Sequence, residues 1–118
     1  MSFRAEIELT VGLGLYLVKT LRTIDPWIPI QTVHAYGIIC QEVMVKRRIM
    51  RGLELAELMQ TTTASATRNI QLLCKYGLIE VAHNPLNKVD RIIKLTPKGR
   101  ELIHKIRTAV KKGVTNER

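Results

Sequence analysis

Residues 60–69 read QTTTASATRN, four threonines, a serine and one arginine ahead of the apolar Ile70, Leu72 and Leu73. These hydroxyls and the guanidinium neither donate protons at neutral pH nor carry an adjacent base. They hydrogen-bond to polar edges, and the arginine adds positive charge. On a helix from Thr63 to Tyr76, Ala66, Ile70, Leu73 and Cys74 recur at four, three and four and bury one side. Thr63, Ala64, Thr67, Arg68 and Gln71 then face out. Thr62 is the N-cap, its hydroxyl accepting from the amide of Ser65, and Gly77 suits the position after the last turn. Gln60 and Thr61 form the turn in front. Small residues on the first turns let the backbone approach base edges in a major groove that admits one helix. The free amides at that end also favour phosphate. Arg68, one turn on, reaches a guanine edge or a phosphate.

Other chemistries are not written in the chain. There is no nucleophile with a base, no paired carboxylates, no glycine-rich phosphate loop and no metal spacing among His34, His83 and His104, so neither an enzyme nor a cofactor is expected. Cys40 and Cys74 lack a CxxC pattern and read as two reduced thiols in a core. The charge supports a polyanionic partner. The chain holds 19 Lys and Arg against 10 Asp and Glu. Residues 1–60 carry seven against six, and residues 61–118 carry twelve against four. A basic field concentrated in one half raises the local concentration of nucleic acid. Glu8 and Lys19 interrupt the longest apolar run, so no membrane span is expected, and without a secretory pattern the expected location is cytoplasmic.

The elements that must position these residues follow from period and punctuation. A chain of 118 residues fits one domain, 1–118. Residues 4–24 read as a helix with one stripe of Ile7, Val11, Leu15, Val18 and Leu21 and a second of Leu9, Leu13 and Leu17. Apolar cover that wide needs two surfaces, and a second copy of the chain supplies the other. Asp25, Pro26 and Pro29 break the helix. A helix from Ile30 to Met44 buries Val33, Gly37, Cys40 and Met44. VKRRIMR follows as a solvated turn or short edge strand, with Lys46, Arg47, Arg48 and Arg51 as possible phosphate contacts. Leu53 to Met59 is a short helix. LIEVAH and DRIIKL, joined by NPLNKV, make a hairpin with a basic tip. Thr96 and Pro97 open a last helix, 97–112, with Leu102, Ile103, Ile106, Ala109 and Val110 on its apolar face and Gly113 at its end.

A short helix, a tight turn, a capped helix with a small polar outer edge and a basic hairpin make a winged helix-turn-helix over 28–96. The fold is mainly α with a small β-hairpin wing. The expected function is a sequence-specific double-stranded DNA-binding transcription regulator acting as a homodimer. Its recognition helix, 63–76, would enter the major groove, and the wing, 78–95, would lie on the backbone or minor groove through Lys88 and Arg91. The other function this fold serves is an adaptor docking on polymerase or replication machinery without specific readout. Charge concentrated in the second half favours DNA.

ELAE at 54–57, TR at 67–68, GLI at 77–79 and LTPKGREL at 95–102 stand in the order and spacing of the MarR-type winged-helix regulators, which the chain resembles over about residues 28–106. The resemblance implies a dimeric DNA-binding regulator held together by its terminal helices, and in many cases a repressor. Three departures accompany it. Gln60 and Thr61 stand where the family often has glycine and an apolar residue. Asn87, Lys88 and Val89 stand in place of its wing-tip Asp-Arg-Arg. A further long C-terminal helix is expected to be missing. No small-molecule effector is carried over from the resemblance.

Overall fold

The computed structural model describes the backbone of residues 3–116 and the side chains of residues 11–83, 85, 86 and 91–113. Helix α1 spans Phe3–Ile24 and α2 spans Ile30–Cys40, the latter running on into a π-helical turn over Gln41–Val45. Strand β1 (Met50–Arg51) leads into α3 (Gly52–Met59), then α4 (Thr63–Lys75), β2 (Ile79–Asn84), β3 (Asn87–Leu95) and α5 (Pro97–Asn116).

Each break has a local cause. Pro29 caps the start of α2 in an extended conformation that its ring permits. Two prolines and the Asp25 carboxylate, which accepts from the Trp27 amide at 3.0 Å, turn the chain between α1 and α2. Helix α3 ends with Gln60 in the left-handed conformation (φ 54°, ψ 48°), where the Thr61 amide donates to the Ala56 carbonyl at 3.0 Å. The same motif ends α4 through Gly77 (φ 75°), with the Leu78 amide donating to Leu73 at 3.1 Å.

The sheet order is β1-β3-β2, both pairings antiparallel. Met50 pairs with Ile93 and Arg51 with Ile92, so VKRRIMR ends in a two-residue edge strand and the wing is a three-stranded sheet. The hairpin turn is Pro85-Leu86, which puts Lys88 inside β3. The expected basic tip is therefore corrected: ladder pairing extends to Asn84 and Asn87 and leaves an apolar pair at the end.

The core is built from Leu21, Ile28, Val33, Tyr36, Ile39, Met50, Leu55, Ile70, Leu73, Leu78, Ile93 and Leu95, contributed by α1 to α4, the sheet and the loops between them, with Leu102 and Ile103 of α5 packed against it. Two further expectations need correction. Cys74 is exposed, because α2 packs against the other flank of α4 and buries Asn69 in its stead, while Cys40 is buried as expected. Helix α5 does not stop at Gly113 but continues to Asn116, since nothing within 4 Å meets a side chain there and a solvated glycine only weakens a helix. Burial pushes the Cys40 thiol up to about 12, so it stays protonated.

Candidate nucleic-acid interface

Helix α4 begins as its sequence dictates. Thr62, extended at φ −76° and ψ 156°, accepts from the Ser65 amide at 3.1 Å. Ala64, Arg68 and Gln71 recur at four and three and are exposed along one stripe, which Lys75 continues. Thr63 and Thr67 lie on the adjacent stripe. They line a hollow of about 190 Å³ together with Arg51, Gly52, Leu53, Glu54, Ile70 and Arg91. The outer face of α4 is thus divided into an exposed edge and a wall facing the wing.

Ser65 is placed differently from its neighbours. Its hydroxyl donates to the Gln31 side chain of α2 at 3.1 Å, so it ties α4 to the fold. Thr62 is exposed, with its oxygen used by the cap. Arg91 is half-buried and pairs across the hairpin with His83. The Lys88 side chain lies outside the described residues. Arg51 is exposed on the edge strand immediately before α3 and joins Arg91 on the hollow.

Sequence reasoning missed the polar contact beneath α4. The buried Thr32 hydroxyl donates to the Asn69 side-chain oxygen at 2.8 Å, and Asn69 is 4% exposed. With Gln31 and Ser65 this gives α2 two side-chain hydrogen bonds to α4. The signal was available, since Asn69 falls three after Ala66 on the inward face.

The far end of α4 is anchored more densely. The Tyr76 hydroxyl donates to Asp25 at 2.5 Å, Lys98 donates to the Tyr76 carbonyl at 2.9 Å, and the Thr96 hydroxyl donates to the Gly77 carbonyl at 2.6 Å. The bond from Tyr76, helped by the Trp27 amide, lowers the Asp25 carboxyl below its usual value. The same bond, with burial second, raises the Tyr76 phenol to about 12. These contacts fix the direction of α4 relative to α1 and α5.

Among the described residues no group of His, Cys, Asp and Glu is placed to hold a metal ion, and no described helix is long and apolar enough to cross a membrane. No protein-family model matches the chain, and no curated protein matches it. Solved structures do. A Staphylococcus aureus MepR mutant bound to an oligodeoxyribonucleotide is similar at a TM-score of 0.68 and 15% identity, over 98% of this chain and 80% of that one. An Escherichia coli MarR mutant complexed with operator DNA gives 0.64 and 19%, over 97% and 76%. The transcriptional regulator Tm0710 from Thermotoga maritima gives 0.68 and 21%, over 97% and 78%. At such identities what is shared is the arrangement of elements, and the chain has the winged-helix fold of the MarR-type regulators.

Proposed function

We propose that the chain is a sequence-specific double-stranded DNA-binding transcription regulator, with α4 in the major groove and the wing on the adjacent backbone or minor groove. The observation that carries this is the exposed Ala64, Arg68 and Gln71 stripe, small where the helix must come close and cationic one turn further on. It stands on the fold of proteins whose solved structures hold operator DNA or an oligodeoxyribonucleotide. The other residues of the interface are Thr62, Thr63, Ser65 and Thr67 on α4, with Lys88 and Arg91 on the wing. Thr62 and Ser65 act by shaping the helix end. As a non-catalytic regulator in the cytoplasm, the chain would repress by occupying its site.

The working form is a homodimer. Val11 and Leu15 on α1 are 54% and 67% exposed, while other parts of the same helix pack on α5 and on the core. A second copy would cover them. Mass in solution tests this, with a dimer expected for the native chain and a monomer for Leu15→Glu.

DNA reading is tested by selecting duplexes from a random pool and measuring binding by fluorescence anisotropy across salt concentrations. Arg68→Ala should reduce the preference for the selected duplex over random duplex by roughly 10- to 100-fold, the range for losing one base contact, without changing the melting temperature. A native chain that binds no duplex at low salt would overturn the reading.

A further inference from the structure

Most of the positive charge of the second half lies outside the α4 stripe and the wing. Residues 61–118 carry an excess of eight, of which α4 holds two, Arg68 and Lys75. The β2–β3 hairpin holds one, with Lys88, Arg91 and Lys94 against Glu80 and Asp90. Helix α5 holds five, with Lys98, Arg100, Lys105, Arg107, Lys111 and Lys112 against Glu101.

The charges on α5 are ordered. Arg100, His104, Arg107 and Lys111 recur at four, three and four, so they form one stripe along the helix, and all four are exposed. The neighbouring stripe of Glu101, Lys105, Thr108 and Lys112 mixes signs, and Lys105 meets Glu101 at 3.4 Å. The first stripe holds no acid. Arg107 and Lys111, one turn apart, repel each other at a cost to the helix. A face that served only solubility would carry the mixed pattern of its neighbour.

Packing sets this stripe apart from the exposed edge of α4. Helix α5 starts against Leu78, beyond the end of α4 opposite Thr63, and α4 is ~18 Å long from Thr63 to Lys75. The inner side of α5 then follows α1. Ile106 and Val110 are each 2% exposed, and a Cβ on Gly12 of α1 would meet the Val110 side chain at 3.0 Å. The stripe lies on the solvated side.

We propose that the Arg100, Arg107 and Lys111 stripe is a second nucleic-acid-binding surface, which takes the phosphate backbone of a duplex segment other than the one at α4, without regard to sequence. The side chains decide the class of partner. Every exposed position from Arg100 to Lys112 is charged or polar. A protein partner is anchored by apolar and aromatic side chains at the middle of its contact. A helix lying on a membrane inserts its apolar face, which in α5 is already covered by α1 and the core. A phosphate backbone needs cations alone. The stripe runs ~16 Å from Arg100 to Lys111, a length over which one strand of a duplex presents about five phosphates along its axis. A chain with both surfaces holds two duplex segments together.

A capture assay tests this. The selected duplex is tethered, loaded with protein and washed, then offered a fluorescent random duplex. The native chain should retain the second duplex. The triple variant Arg100→Gln, Arg107→Gln, Lys111→Gln should retain it roughly 10-fold less or worse, and the plot of log retention against log salt should flatten by roughly three per protomer. Its affinity for the selected duplex alone, and its preference for that duplex over random, should stay within about twofold of native, because exposed charges beyond a Debye length are screened. Glu101→Gln should raise retention. Equal melting temperatures establish that the variants are folded.

If the native chain binds the selected duplex and captures no second one, or if the triple variant captures it as well as native, the α5 surface is overturned and the reading by α4 stands. If the triple variant loses the selected duplex in the same proportion, the stripe belongs to the α4 interface and the second surface is overturned. If vesicles of anionic lipid or poly-glutamate bind the native chain and random duplex does not, the stripe takes another polyanion and the proposal is again overturned. If the native chain shows no sequence preference yet binds random duplex through charges that the triple variant lacks, the reading by α4 falls and the α5 surface stands.

Discussion

Two turns of the same geometry bracket α4, and they are made from different residues. Before α4, Gln60 takes the left-handed conformation at φ 54°. After it, Gly77 does so at φ 75°. In each, the amide of the next residue donates five residues back, from Thr61 to Ala56 and from Leu78 to Leu73. Glycine adopts this conformation without steric cost, whereas a residue with a Cβ gives up ~1–2 kcal/mol. The departure from glycine at position 60 therefore leaves the shape of the turn intact and changes its energy. The surroundings differ too. The first turn opens onto the exposed stripe of α4, while the second is enclosed by Asp25, Thr96 and Lys98, which bind Tyr76 and Gly77. One end of α4 is presented and the other is held.

The largest effect is expected at the held end. A Cβ on Gly99 would stand 2.1 Å from the Leu78 carbonyl oxygen, a backbone atom, and the Tyr36 hydroxyl donates to the Gly99 carbonyl at 2.6 Å from the other side. With no flexible side chain to yield, Gly99→Ala should cost about 3 kcal/mol, the upper part of the range for overpacking, measured by urea unfolding. A loss below about 1 kcal/mol would mean that α5 slides freely on the second turn.

Next in size, Gly77→Ala should destabilise by about 1–2 kcal/mol, because the left-handed conformation is retained by the contacts around it. Gln60→Gly should act in the opposite sense, stabilising by about 0.5–1 kcal/mol after the extra freedom of glycine in the unfolded chain is subtracted. If both substitutions destabilise, Gln60 has a stabilising contact in the turn that outweighs its conformation, and the equivalence of the two turns fails.

The smallest effect is a pH dependence confined to the held end. The Asp25 pKa is lowered on folding, so its contribution is present above the unfolded value of 3.8 and is lost as pH falls through the folded one. The Tyr76 pKa is raised from 10.0 to about 12, so its contribution is complete below 10.0 and is lost as pH rises through about 12. The melting temperature of the native chain should exceed that of Tyr76→Phe by a constant margin between those limits, and the margin should shrink outside them. A margin that varies in the middle of the range would place the coupling elsewhere.

The helix signals were legible because they are local. Thr62 and Thr96 each cap a helix by accepting from an amide three residues on, at 3.1 Å and 3.0 Å, and that spacing is visible in any chain. The apolar period placed α4 within a residue of its end. Gln60 was harder to read, since no rule of composition assigns a glutamine to the left-handed region. The motif LTPKGREL matched a family pattern, but the need for its glycine appears only when Leu78 is brought against α5.

For the candidate site the same division holds. By itself the sequence determined the exposed edge of α4, the cap that begins it, the buried stripe of Ala66, Ile70 and Leu73, and the excess of positive charge in the second half, because helical period and net charge depend only on order. Only the tertiary structure decided that Cys74 is left exposed and that Asn69 meets Thr32, 37 residues away, since α2 lies on one flank of α4. It alone also put Arg51 beside Arg91, because β1 joins β3 by backbone hydrogen bonds that any side chains allow.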